Sequence, residues 1–169
     1  MILALDLSSR TGWAWGPTVD AKPSFGAWQM PIRGGLAARF YGLQNAMQEF
    51  CEEHLVTKVV IEAPIPLPAM NNTTAAYQQL GMRAIVMAEA QHISAAICEI
   101  DCWTVRSEVA GMRRCTSDQA KKQAVLFCLK RGLKVPNHDA ADAVLLWLWH
   151  RQRTLRQQPY AGPLFDEVA

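Results

Sequence analysis

Two short apolar runs in this chain each end in a carboxylate, and together they constrain the fold more than any other feature. The run MILALD ends in Asp6, and the run VVIE ends in Glu62. Their length and apolar character predict two buried β-strands. The carboxyl ends of neighbouring parallel strands gather functional groups at one edge of a sheet, so we expect the two acids to meet if their strands are neighbours.

A second pair of acids, Asp139 and Asp142, lies in the segment HDAADA. Residues three apart on a helix differ by about 60° of rotation, so both project from the same side of its first turn. For Asp139 the alternative is a favourable interaction with the helix dipole. Asp142 is harder to explain in that way, because the segment AVLLWLW that follows is apolar on nearly every face and predicts a buried helix.

All four carboxylates stand beside apolar elements, where charge is costly. A buried charge without a partner costs on the order of several kcal/mol, so such acids must be hydrogen-bonded, paired or metal-bound. Hard divalent cations such as Mg²⁺ prefer oxygen ligands. Acids delivered by three distant segments therefore predict a metal site, with these ligands: Asp6, Glu62, Asp139 and Asp142.

The order of elements predicts an α/β fold with a mixed sheet covered by helices. Predicted strands are MILALD, WAWG, SFGAWQM, KVVIEA and a fifth within CEIDCWTV, and SSRTG is a predicted turn. Helical periodicity and capping residues predict four longer helices, over 36–54, from Thr73 to about Cys98, from Ser117 to about Arg131, and from about 137 to 156. A short helical turn is predicted over 105–112. PIPLPAMNN is a predicted loop.

Composition bounds the class of protein. With 169 residues, half of them hydrophobic and 19% charged, the chain is expected to form one domain over 1–156, followed by a tail over 157–169. Five cysteines without a C-x-x-C pair indicate neither a zinc site nor a disulfide framework. No signal peptide or membrane span is evident, so we expect a cytoplasmic protein, bacterial or in the host cytoplasm if phage-encoded.

Positive charge is concentrated in residues 104–134, which carry eight Lys or Arg against two Asp or Glu. Such a segment can neutralise DNA phosphates. The alternative is a solvated helix surface with scattered cations. The basic residues are Arg106, Arg113, Arg114, Lys121, Lys122, Lys130, Arg131 and Lys134.

Three motifs resemble those of the RuvC family of Holliday-junction resolvases, members of the ribonuclease H-like superfamily. They are DLSSRTGWAWG at 6–16, VVIEAP at 59–64 and HDAADAVLLWLW at 138–149, in the family's order and near its spacing. The last is the most specific, because it has two Asp separated by two alanines on an apolar helix. The resemblance covers residues 1 to about 155 and implies a ribonuclease H-like mixed five-stranded sheet flanked by helices.

The resemblance also implies a crossover junction endodeoxyribonuclease that resolves four-way DNA as a homodimer. The four carboxylates would bind two Mg²⁺ or Mn²⁺ ions for phosphodiester hydrolysis, leaving 5′-phosphate and 3′-hydroxyl ends. The family's basic residues match Arg106 and Lys121, and Lys121 is the further catalytic residue; the match at Lys121 could instead fall on Lys122. The predicted DNA contacts are Arg106, Arg113, Arg114, Lys121 and Lys122.

Two departures from the family favour a divergent branch of viral or prophage type. Leu7 stands where the family usually has proline. The family's resolvases carry an aromatic residue after the strand-end Glu that helps to open the junction, whereas this chain continues with the aliphatic, proline-rich segment Ala63–Leu67. Both departures leave the metal-binding acids intact.

Several residues have more than one interpretation. His138 is a metal ligand, a partner of a ligand or a neighbour of the helix cap. Trp147 and Trp149 stack on bases or, more commonly in an apolar helix, belong to the core. The helix face from Tyr77 to Met87 forms a dimer contact or packs against the sheet.

Three rival functions remain beside junction resolution. One is another ribonuclease H-like nuclease acting on branched DNA, an RNA–DNA hybrid or RNA. An ATP-dependent sugar kinase or actin-like domain has a similar opening turn, but the chain is too short for its second lobe. A non-catalytic junction-binding protein would have no reason to keep burying four acids. A helicase partner is compatible with the family and has no signal in the sequence.

Overall fold

A computed structural model of the chain describes residues 1–19, 22–64, 72–113 and 115–157. Its elements, in chain order, are β1 Ile2–Asp6, β2 Arg10–Gly16, β3 Ser24–Gln29, α1 Gly35–Glu53, β4 Lys58–Glu62, α2 Thr73–His92, β5 Ala96–Ile100, α3 Cys102–Ala110, α4 Ser117–Lys130 and α5 His138–Gln157. No helix in these ranges is long and apolar enough to cross a membrane.

The strands form one five-stranded mixed sheet in the order β3-β2-β1-β4-β5. The first three strands form an antiparallel meander, and β4 and β5 extend it in parallel on the other side of β1. Parallel strands need a crossover, and here α1 and α2 provide the two crossovers. The predicted mixed sheet is therefore confirmed.

Successive side chains of the central strands point to opposite faces of the sheet, so each face has its own hydrophobic core. Leu3 and Leu5 of β1 face one core, which α1 and α2 cover, whereas Ala4 of the same strand faces the other. That second core is built largely from α5, with α3 and α4 beside it. Both faces of the sheet are buried, which is why β1 and β4 are apolar at nearly every position.

Two glycines of β2 allow α5 to lie very close to the sheet. A Cβ atom on Gly12 would be 2.0 Å from the backbone oxygen of Asp139, and one on Gly16 would be 3.2 Å from the Trp147 ring. The Trp147 indole nitrogen donates a hydrogen bond to the Gly16 carbonyl over 3.3 Å. The meander thus carries a groove of bare backbone that fixes the position of α5.

The predicted boundary between the second helix and the fifth strand was wrong. The helix ends at His92 and not near Cys98, because Ser94 takes a left-handed backbone conformation with φ of 57° and Ala95 bonds back to the Ala90 carbonyl. Cys98 lies instead in β5. The predicted strand segment also extends too far, since Asp101 accepts a hydrogen bond from the Thr104 amide and starts α3.

The predicted turn SSRTG was also too long, because β2 already begins at Arg10 and only Ser8 and Ser9 make the turn. Three predictions fall mainly outside the described residues: most of the loop PIPLPAMNN, the basic residue Arg114, and the tail beyond Gln157. The helices predicted at 36–54, Ser117–Arg131 and 137–156 agree with α1, α4 and α5 to within one or two residues.

Candidate active site

Strand pairing brings the first two acids together. Asp6 is the last residue of β1 and Glu62 is the last residue of β4. These strands are parallel neighbours, with Leu5 opposite Ile61. Both acids therefore leave the sheet at the same edge, as expected for functional groups at carboxyl ends of parallel strands.

The first turn of α5 brings the other two acids to this edge. The Asn137 side chain caps the helix by accepting a hydrogen bond from the Ala140 amide over 2.9 Å. Because Gly12 has no side chain, the backbone at Asp139 lies directly against β2. Asp139 and Asp142 are both only 6% exposed.

All four carboxylates line one cavity of about 570 Å³. The polar and charged residues around them come from the β1–β2 turn, β2, β3, α3, α4 and α5. The lining consists of Asp6, Ser8, Ser9, Arg10, Gln29, Glu62, Cys102, Arg106, Lys121, His138, Asp139 and Asp142.

Burial and repulsion from neighbouring carboxylates raise the pKa values of Asp6 and Glu62, so these two acids hold their protons more strongly than usual. The pKa of Asp6 is raised well above its ordinary value, first by burial and then by the negative charges of Glu62 and the two aspartates of α5. Burial, and then the charge of Asp142, raise the pKa of Glu62 to about 7. The nearby guanidinium of Arg106 opposes both shifts, but only in part.

Each acid of α5 has an arginine partner. The Arg10 Nε atom donates to Asp139 over 2.6 Å, and the Arg106 Nη2 atom donates to Asp142 over 3.0 Å. His138 Nε2 also lies 3.3 Å from an Asp139 oxygen. Burial raises the pKa of Asp142, and the charge and hydrogen bond of Arg106 counteract that rise.

In this arrangement, no three His, Cys, Asp or Glu side chains of the described ranges are gathered tightly enough to hold one metal ion. Asp139 and Asp142 are instead paired with Arg10 and Arg106. The chemistry of the site nevertheless fits divalent cations, because four oxygen donors share a buried cavity and repel one another. A cation among them would favour their ionised forms.

The predicted basic residues do not all lie at the acid cavity. Arg106 and Lys121 line the acid cavity, whereas Lys122 is exposed outside its lining. Arg113 and Lys130 line a separate cavity of about 490 Å³ between the end of α3 and α4. The role of these cations in binding DNA phosphates stays a prediction.

Burial decides between the two interpretations of the tryptophans of α5. Trp147 is fully buried and Trp149 is 4% exposed, so both belong to the core and neither is placed to stack on a base. His138 is the first residue of α5, next to the cap, and contacts Asp139.

Sequence reasoning missed two residues of the site. Arg10 pairs with Asp139, and Gly12 makes room for the backbone of α5. The signal for Arg10 was a cation only four residues after Asp6. The predicted turn left its direction undefined, because a residue in a turn has no fixed inward or outward face.

The chain is similar to known proteins in its structure and not detectably in its sequence. No protein-family model matches the sequence. No curated protein is significantly similar to it either.

Solved structures of two resolvases share the fold. Thermus thermophilus RuvC in complex with a Holliday junction substrate matches with a TM-score of 0.72 and 13% identity, over 92% of this chain and 95% of that chain. A second Thermus thermophilus RuvC structure gives 0.65 and 14%, with the same coverage. The yeast mitochondrial Holliday junction resolvase Ydc2 gives 0.57 and 12%, over 92% of this chain and 80% of that chain. The chain therefore has the ribonuclease H-like fold of the RuvC resolvases.

Proposed function

We propose that this protein is a metal-dependent endonuclease that resolves four-way DNA junctions. The observation that carries the proposal is the convergence of four carboxylates from three distant segments on one cavity that also contains Arg106 and Lys121. The fold shared with a RuvC bound to a Holliday junction supports the choice of substrate. Hydrolysis would leave 5′-phosphate and 3′-hydroxyl ends.

The four carboxylates would hold two Mg²⁺ or Mn²⁺ ions. When bound, two such ions activate a water molecule and stabilise the charge on the leaving 3′-oxygen. Before they can act as ligands the acids must lose their protons, and the raised pKa values of Asp6 and Glu62 couple that loss to cation binding.

The cations of the cavity have a different task in this proposal. Arg106, already held beside Asp142, and Lys121 bind non-bridging oxygens of the scissile phosphate. Their charge draws the strand into an otherwise acidic cavity, which would repel DNA. The planar guanidinium of Arg106 also fixes the orientation of the phosphate, whereas the ammonium group of a lysine would orient it less well.

A symmetric junction has two strands to cut, so a homodimer with two cavities suits it. The face of α2 that carries Tyr77, Leu80 and Met87 supports this, because these side chains are 63%, 38% and 42% exposed. The same helix packs on the sheet with its opposite face, through Met82 and Val86. The alternative that the exposed face packs against the sheet is therefore wrong.

The test is cleavage of a synthetic four-way junction by the purified protein with Mg²⁺, Mn²⁺ or EDTA. Asp6→Asn and Glu62→Gln should each reduce cutting by at least about a thousandfold, since either removes a ligand charge, while leaving junction binding within a few-fold. Cutting that persists in either variant, or in EDTA, would rule out the metal assignment.

Parallel lanes with linear duplex, flap DNA, an RNA–DNA hybrid and RNA address the substrate. Preferential cutting of the junction is the expected result. Preferential cutting of the hybrid or of RNA would instead identify another ribonuclease H-like nuclease and overturn the junction assignment while leaving the metal assignment intact.

A further inference from the structure

One tryptophan stands apart from both cores of the protein. The chain has six tryptophans. Five of them belong to a core cluster or pack against one: Trp13, Trp15, Trp28, Trp147 and Trp149. Trp103 belongs to neither cluster and is partly exposed. A large aromatic ring that does not contribute to a core is available for contact with a ligand.

Trp103 lies directly beside the acid cavity. It is the second residue of α3, between Cys102 and Arg106, both of which line the cavity. Residues three apart on a helix differ by about 60°, so Trp103 flanks the face that Arg106 presents to the acids. The guanidinium carbon of Arg106 is 5.7 Å from the centre of the Trp103 ring.

Arg106 links this ring to the acids. Its Nη2 atom is 3.0 Å from an Asp142 oxygen, while its guanidinium also lies over the Trp103 ring. The guanidinium of Arg106 thus lies between the aromatic ring of Trp103, which is outside the lining of the cavity, and the carboxylate of Asp142 inside it. A phosphate bound by Arg106 would therefore bring its own nucleotide next to the indole.

We propose that Trp103 stacks on an unpaired DNA base beside the phosphate bound by Arg106 and Lys121, which makes the cavity selective for DNA whose bases are unpaired at the cut. This inference rests on the function proposed above. Aromatic side chains stack on every base, so the contact selects for unpaired structure more than for sequence. Arg106 beside the ring, together with Lys121 in the cavity, favours a nucleic acid over an apolar protein partner.

The variants Trp103→Phe and Trp103→Leu separate stacking from simple bulk. Phenylalanine keeps an aromatic face, whereas leucine keeps an apolar side chain without one. Tyr41→Leu is the matched control, because Tyr41 is 66% exposed on α1 outside the lining of the cavity. Thermal melts of all variants verify that each protein is folded.

The probe is a four-way junction with 2-aminopurine at the crossover, bound in Ca²⁺ so that it is not cut. Wild type and Trp103→Phe should quench the fluorescence of the unpaired base, and Trp103→Leu should not. We expect Trp103→Leu to bind the junction roughly tenfold more weakly, since one stacking contact is lost. Binding of linear duplex should change less than about twofold, because its bases are paired.

Equal quenching and equal junction affinity for the leucine and phenylalanine variants would overturn the role of Trp103. So would a loss of affinity that is the same for linear duplex and for the junction, or the same in Tyr41→Leu. If the wild-type protein itself neither binds nor cuts the junction, the proposed function fails, and this outcome is distinct from a failure of the stacking contact.

Discussion

Glu62 shows how a single partly buried carboxylate makes the stability of the protein depend on pH. The folded protein holds the Glu62 proton up to a pKa of about 7, whereas an ordinary glutamate releases it near 4.5. Between these values the folded protein binds more protons than the unfolded chain does. Stability therefore falls as the pH rises through this range, and Asp6 contributes in the same direction.

We predict that the free energy of unfolding in EDTA falls by about 3 kcal/mol between pH 4.5 and 7 on account of Glu62. Glu62→Gln should flatten this dependence and leave only the part due to Asp6 and Asp142. Urea denaturation at a series of pH values measures it. A slope that is unchanged in the variant would show that Glu62 is not the titrating group.

Added Mg²⁺ should have the opposite dependence on pH. Ions bind the ionised carboxylates, so they should raise the melting temperature more at about pH 8 than at about pH 5.5. The double variant Asp6→Asn, Glu62→Gln should lose this stabilisation. An equal rise in the wild type and in the double variant would assign the effect to a different site.

Lys121 and Lys122 form a matched pair for mutation, because they are adjacent residues of the same type whose side chains point in different directions. Lys121 lines the acid cavity, and Lys122 is exposed outside its lining. We predict that Lys121→Ala lowers the rate of junction cleavage by about a hundredfold, because it removes a charge at the reacting phosphate. Lys122→Ala should weaken DNA binding only a few-fold. Single-turnover kinetics decide between them, and equal rate losses would contradict the assignment of Lys121.

At the scale of elements, the position of α5 depends on the bare backbone of β2. The segment from Asp139 to Trp147 lies across Gly12 and Gly16, and the Trp147 indole bonds to the Gly16 carbonyl. A side chain at Gly12 would meet the backbone of the helix, which cannot move aside as a flexible side chain can. The two acids of α5 are thus placed by a contact with the sheet.

Gly12→Ala should therefore lower the free energy of unfolding by about 2–3 kcal/mol, the usual cost of overpacking. It should also reduce cleavage by about a hundredfold, since a shift of about 1 Å at a catalytic group has that effect. Gly35→Ala is the control, because no heavy atom lies within 4 Å of its added Cβ. Because Gly35 has a positive φ, the alanine there should lower the free energy of unfolding by only about 1 kcal/mol. Cleavage lost equally in both variants would refute the role of the contact.

At the scale of the whole molecule, α2 has one face in the core and one face exposed to solvent. Met82 and Val86 pack in the core, and the opposite face presents Leu80 and Met87 to solvent. We predict that Leu80→Glu makes the protein monomeric in analytical ultracentrifugation, because a dimer would have to bury an unpaired charge. The monomer should nick one strand of a junction without resolving it. Tyr41→Glu on α1 should remain dimeric, and a dimeric Leu80→Glu would exclude this face.

The sequence by itself determined where the acids would be. Asp6 and Glu62 follow apolar runs that can only be buried strands, and the helix period places Asp139 and Asp142 on one side of α5. These signals are local, because backbone geometry links neighbouring residues. The end of α2 was less predictable, since the left-handed residue Ser94 carries no glycine-like signal.

Only the tertiary structure decided which cations join those acids. Whether Lys121 or Lys122 faces the cavity depends on the rotation of α4 about its axis, which its packing on α5 sets. Arg10 reaches Asp139 across 129 positions of sequence, and Trp103 flanks the cavity only because α3 packs beside α5. Such contacts depend on how distant elements pack against one another, which no local pattern records.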